Sequence, residues 1–161
     1  MSGQSSVPRA DAKRTSVPFP SAREDQNGAV AGDGLVRRDG DGWTFAISEP
    51  DLTFIRIDFQ TRLRFGPTEV VIESPFQLEA HGQSWLLDPD DRAALGPLLA
   101  LYPSRLDSCG ADQDRVLRLT FDGGSQITVP PDPNYEAWSI VGPGTALVVC
   151  TPGSGDLAIW P

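Results

Sequence analysis

The residues able to carry out chemistry are few and scattered. His81 is the only histidine, and Cys109 and Cys150 are the only cysteines among the 161 residues. A structural zinc site needs clustered thiols or imidazoles, and the chain has neither a C-x-x-C pair nor a second histidine. A serine or cysteine nucleophile would have to use His81 as its base. That histidine stands in the turn-like run Ala80-His81-Gly82, and Ser84 nearby has no G-x-S-x-G elbow around it. Gly142-Pro143-Gly144 lacks the third glycine of a dinucleotide loop and opens no helix. No catalytic residue, metal site or cofactor site is therefore expected.

Carboxylates are abundant. Asp88, Asp90 and Asp91 are the densest group, and helix capping accounts for them: Asp88 as the cap, Pro89 at the first position and two acids in the first turn. Asp58 and Glu73 alternate with apolar residues, so antiparallel pairing would bring them near each other on an outer sheet face. The most distinctive run is Val129-Pro130-Pro131-Asp132-Pro133-Asn134-Tyr135-Glu136-Ala137-Trp138. Its prolines hold the chain extended and restrict the residues before them. Trp138 is expected to fill the core. Tyr135 either packs over a hairpin, with Glu136 bonding the amides of the turn, or anchors a partner, since aromatics with one polar edge recur at interfaces. The candidate partner-binding residues are Tyr135, Glu136, Asp132, Asp58 and Glu73.

Charge sharpens this reading. Residues 1–42 hold six basic and six acidic residues, so the other seven basic and sixteen acidic residues, and the whole net charge of −9, fall in 43–161. Such a surface repels phosphate backbones and anionic lipid and attracts basic partners, so neither nucleic acid nor a membrane is expected as a partner. The first twenty residues hold no apolar run of secretory length, and no run elsewhere approaches the ~20 residues of a membrane span. The expected setting is the cytoplasm, with both thiols reduced.

The elements that must position these residues are short. Residues 1–42, rich in Ser, Gly, Pro, Arg and Asp with sparse apolar residues, read as a disordered N-terminal arm. The glycines of Gly32-Asp33-Gly34 and Asp39-Gly40-Asp41-Gly42 belong to that arm. Residues 43–161 read as a single β-rich domain. Ile55-Arg56-Ile57-Asp58-Phe59 and Arg62-Leu63-Arg64-Phe65 alternate apolar with charged, Gly66-Pro67 turns the chain, and Val70 and Ile72 continue the apolar face. Leu117, Leu119 and Phe121, the turn Asp122-Gly123-Gly124, and Ile127 and Val129 repeat the pattern. The match of Leu63-x-Phe65, Val70-x-Ile72 and Pro75 to Leu119-x-Phe121, Ile127-x-Val129 and Pro131 reads either as an internal duplication or as the general likeness of two hairpins. Between them a helical connector, capped at Asp88, with an apolar face from Ala93 to Leu101 and ending before Pro103, is interrupted at Gly96-Pro97, by a kink or by a split into two pieces. Segments 137–140, 147–150 and 157–160 read as further strands. The fold class is α+β, mostly antiparallel β: two similar hairpin units and one short, Pro-interrupted helical connector.

The body resembles an uncharacterised family of small bacterial proteins. The likeness rests on Arg56-Ile57-Asp58-x-Gln60-x-x-Leu63, Ile72-Glu73-Ser74-Pro75-Phe76, Leu119-x-Phe121-Asp122-Gly123-Gly124 and the Pro130–Trp138 run. Val149-Cys150-x-Pro152-Gly153 and Leu157-Ala158-x-Trp160 complete it, so that it spans roughly residues 52–160. The resemblance implies no activity and no catalytic residues. Small acidic bacterial proteins of this kind recur as immunity proteins, an analogy that transfers no residues.

The functional expectation is a non-catalytic binding module, of an immunity or regulatory type, for a basic protein partner. The alternatives are a small enzyme using Asp58, Glu73, Asp132 and Glu136, metal-free or with a hard cation, and a structural or accessory domain.

Overall fold

The computed structural model describes residues 34–153 and 156–161. Over these residues the chain is mostly antiparallel β, and no helix is long and apolar enough to cross a membrane. The strands are β1 (Val36–Asp39), β2 (Gly42–Phe45), β3 (Leu52–Ile57), β4 (Thr61–Phe65), β5 (Thr68–Ile72), β6 (Phe76–Ala80) and β7 (Gln83–Leu87). After two helical turns come β8 (Leu106–Ala111), β9 (Leu117–Phe121), β10 (Gln126–Val129), β11 (Trp138–Val141), β12 (Leu147–Cys150) and β13 (Leu157–Trp160). Among the described residues they form a seven-stranded sheet, β1-β2-β8-β9-β10-β6-β7, and a six-stranded sheet, β13-β12-β11-β5-β4-β3.

Period-two patterning drives the packing, because successive side chains of a strand point to opposite faces. Leu117, Leu119 and Phe121 of β9 are buried while Arg118 is exposed, and β6 buries Phe76, Leu78 and Ala80 while exposing Gln77 and Glu79. The inner faces share one core. Phe65 of β4 meets Phe121 of β9 with ring centroids 6.3 Å apart, and Phe45 of β2 meets Trp138 of β11 at 5.9 Å. The six-stranded sheet departs from simple alternation. Val71, Ser139 and Val149, opposite one another in register, are buried on the side away from the core.

The hairpin units are three-stranded meanders with matching registers. Leu63 faces Val70 as Leu119 faces Ile127, and Thr61 faces Ile72 as Leu117 faces Val129. Leu52 faces Phe65 as Leu106 faces Phe121, and a register shift follows at Leu52/Phe54 and at Leu106/Ser108. Each meander then sends the chain into the other sheet, where β6 joins β10 and β11 joins β5. The correspondence stops at the edges. β8 is covered by β2 and β12 by β13, whereas their counterparts β3 and β7 end their sheets.

Three expectations are corrected. The ordered body begins before Trp43: β1 pairs with β2, and Leu35 and Val36 enter the core. Leu35, just before the strand, and Val36, its first residue, show no periodicity; what orders them is the pairing of β1 with β2, which itself covers the edge of β8. Gly42 and Gly110 make that approach possible, since a Cβ on either would lie 2.6 or 2.7 Å from a backbone carbonyl oxygen of the facing strand. Asp39-Gly40-Asp41-Gly42 is the β1–β2 turn region, with Gly40 at φ +58°. The remainder of the expected arm, residues 1–33, lies outside the described residues.

The helical connector is a 3-10 turn at Arg92–Ala94 and a single α-helical turn, α1, at Gly96–Leu99. Asp88 does not cap either; its Oδ1 accepts from the Asp90 amide at 2.9 Å in a local turn. Pro97 has no amide to donate, so it stands at the start of α1 rather than within a longer helix. Finally, the Ile55–Phe59 alternation does not continue to Phe59. β3 ends at Ile57, and Phe59 is 85% exposed in the turn to β4.

Candidate functional site

The ends of β3 and β5 and the starts of β4 and β11 gather loops at one end of the six-stranded sheet. Thr61 pairs with both Ile57 and Ile72, and Ile72 pairs with Trp138. The β3–β4 turn, Glu73 and the loop preceding Trp138 therefore flank one another. All five candidate residues, Asp58, Glu73, Asp132, Tyr135 and Glu136, fall at this end, not on the sheet face expected for Asp58 and Glu73.

Each is held by local chemistry. In the β3–β4 turn, Asp58 Oδ1 accepts from the Gln60 amide at 3.0 Å, and Oδ2 pairs with Arg56 Nε at 3.0 Å. The Gln60 amide, helped by Arg56 and Arg62, holds the Asp58 carboxyl below the usual carboxylate range. Arg92 Nε donates to the Asp58 carbonyl at 3.0 Å, and its guanidinium lies 5.9 Å from the Phe59 ring centroid. The Glu73 amide donates to Ala137 O at 2.9 Å, which ties the end of β5 to the proline-rich loop. Within that loop Asp132 Oδ1 accepts from the amides of Asn134 and Tyr135, at 2.8 and 3.0 Å. Asp132, rather than Glu136, is thus the carboxylate that shapes the turn. Trp138 is fully buried at the start of β11, in the core position expected of it, and Tyr135 is 71% exposed.

Arg115 completes this end. It sits at φ +59°, its carbonyl accepts from Trp138 Nε1 at 3.1 Å, and its guanidinium pairs with Asp156 at 2.9 Å. A non-glycine residue in the left-handed region is uncommon, and the Trp138 and Asp156 contacts are what hold it there. Asp112, in the same loop, is partly desolvated, but Arg118 and the amides of Val116 and Asp114 keep its carboxyl below the usual range.

The distribution of ion pairs is uneven. Of the seven arginines in 43–161, six pair with carboxylates: Arg56, Arg62, Arg64, Arg105, Arg115 and Arg118. Glu73, Asp132 and Glu136 form no ion pair among the described residues. Phe59, Arg92 and Arg115 escaped the sequence reading. The apolar residues Ile55, Ile57 and Phe59 share their parity with Leu63 and Phe65, so the turn at Asp58 had little signal beyond an aspartate.

Cys109 lies on β8 and Cys150 on β12, on different sheets and both buried. Burial pushes Cys109 up to about 12 and Cys150, despite Arg115, up to about 11. Only the thiolate reacts, so neither is expected to react with DTNB at pH 8 in the native chain, and both to react once urea is added. Rapid modification of the folded chain would contradict this burial.

No group of three or more His, Cys, Asp or Glu among the described residues is placed to hold a metal ion. The fold and its loops thus define a two-sheet β-domain with an acidic, aromatic end. The chain belongs to a family of unknown function (DUF6188), whose model matches residues 43–161. No curated protein and no solved structure matches it.

Proposed function

We propose that the protein is a non-catalytic binding module for a basic protein partner, of an immunity or regulatory type, working in a bacterial cytoplasm. One observation carries this reading. Phe59 and Tyr135, both strongly exposed, share one end of the six-stranded sheet with Glu73, Asp132 and Glu136, which form no ion pair among the described residues. Exposed aromatics supply anchors and unpaired carboxylates supply attraction at a distance. Asp58 is held ionised, which suits presenting charge better than donating a proton. The matching registers of the two meanders support descent from one duplicated unit, joined by two short helical pieces.

The test takes a partner recovered from the native host and follows binding by surface plasmon resonance at several salt concentrations. Association is expected to slow steeply as salt rises, because exposed charges are screened beyond about 8–10 Å near physiological ionic strength. Glu73→Gln with Glu136→Gln should mainly slow association. Tyr135→Ala, at an exposed position, should raise the dissociation rate about tenfold or more. A salt-independent association rate, with no effect of Tyr135→Ala, would reduce the negative charge to a solubility device.

A further inference from the structure

β7 is an edge strand without guards. Edges are normally kept from pairing by charges, prolines or bulges. β1 carries Arg37, Arg38 and Asp39, and β3 has Arg56 and a register shift. β7, Gln83-Ser84-Trp85-Leu86-Leu87, has none of these and pairs with β6 in unbroken register. The two-residue turn His81-Gly82 closes on Ala80 and Gln83, and such a closing pair is hydrogen-bonded. Alternation then places bonded pairs at Leu78–Trp85 and Phe76–Leu87. The N–H and C=O of Ser84 and Leu86 consequently point away from β6, and the Leu86 side chain beside them is 80% exposed.

Two features define what would fit there. The counterpart of β7 in the other sheet is β12, and β12 is covered by an apolar strand, Leu157-Ala158-Ile159-Trp160. The same place in the fold thus takes an added strand in one sheet and, among the described residues, none in the other. Beyond the end of β7, Asp88, Asp90 and Asp91 are exposed and form no ion pair among the described residues. Their loop leads to Arg92 against Asp58 and Phe59, so the free edge runs into the acidic, aromatic end.

We infer that β7 accepts an extended segment of the basic partner as an added antiparallel strand. Alternate apolar residues lie along Leu86, and Lys or Arg at the segment's N-terminal end faces Asp88, Asp90 and Asp91. The inference rests on the basic-partner reading and names how that partner docks. The probe is the peptide Lys-Lys-Val-Thr-Val-Thr-Val, with a second peptide carrying Glu for both Lys, each titrated into the isotope-labelled full chain by NMR. Amide shifts are expected along Gln83–Asp88. Leu86→Lys places a guard charge on the edge, and Ser84→Pro removes an amide that faces away from β6; each should weaken binding about tenfold or more. Asp88→Asn, Asp90→Asn and Asp91→Asn together should weaken it about fivefold and flatten its salt dependence. The Glu peptide should bind about tenfold more weakly.

Shifts confined to Phe59 and Tyr135, or affinity unchanged by Leu86→Lys, would overturn docking at β7 while leaving the basic partner standing. Equal binding of both peptides at β7 would overturn the inference through failure of the basic-partner reading. A concentration-dependent dimer that Leu86→Lys dissociates would assign the edge to a second copy of the chain, against the inference. No shifts at millimolar peptide would also overturn it.

Discussion

Phe121→Ala is expected to lower the free energy of unfolding by about 3–5 kcal/mol, and Leu119→Ala by about 2–5 kcal/mol. Both side chains lie in the core of β9, and Phe121 packs on Phe65 across the two sheets. Truncation removes buried apolar area and leaves a cavity, because the surrounding strands relax only in part. Arg118, next to Leu119 on the outer face, pairs with Asp112 at 2.7 Å, but both side chains are substantially exposed. An exposed pair contributes about 0–1 kcal/mol, so Arg118→Ala should cost far less. Urea melts of the three variants measure this. Equal losses at 118 and 119 would reject the alternation on which the fold rests.

A chain beginning at Trp43 is expected to be less stable than one beginning at Gly34 by about 3–5 kcal/mol. The shorter chain loses Leu35 and Val36 from the core, each burying an aliphatic side chain that contributes about 1.5–3 kcal/mol. It also turns β2 into an uncovered edge and takes Arg38 from the face of Trp43, where it lies 4.6 Å from the ring centroid. Denaturant midpoints of the two truncated chains decide the matter. Coincident midpoints would mean that the β1 pairing adds nothing to the body and that the domain begins where the family match begins.

Strand positions were largely legible. Leu117-x-Leu119-x-Phe121 and Ile127-x-Val129 announce inward faces by their spacing, and β11, β12 and β13 fall on the three late apolar segments. The first strand was not legible, because Val36-Arg37-Arg38-Asp39 offers a single inward residue and three charges. Its order comes from β2 and β8, more than sixty residues apart along the chain. Phe59 was misread for a related reason. A local period of two cannot register that the chain reverses at Asp58 and leaves the next apolar residue in water. At the acidic end, the residue types of Asp132, Tyr135 and Glu136 were visible, but their roles were not. Which carboxylate shapes the loop depends on the amides of Asn134 and Tyr135 turning toward Asp132.

By itself, then, the sequence determined the alternation of inward and outward residues, the turns that separate short strands, and the concentration of negative charge in residues 43–161. These are properties of neighbours along the chain: side-chain parity follows from backbone geometry, and charge from residue type. Only the tertiary structure decided that β6 crosses to β10 and β11 to β5, and that Asp58, Glu73 and the proline-rich loop meet at one end. It alone, among the described residues, left β7 uncovered where β12 is covered. Strand pairing satisfies backbone hydrogen bonds that are chemically alike in every strand, so local sequence does not say which partner a strand takes. That choice belongs to the single packing that buries both inner faces at once.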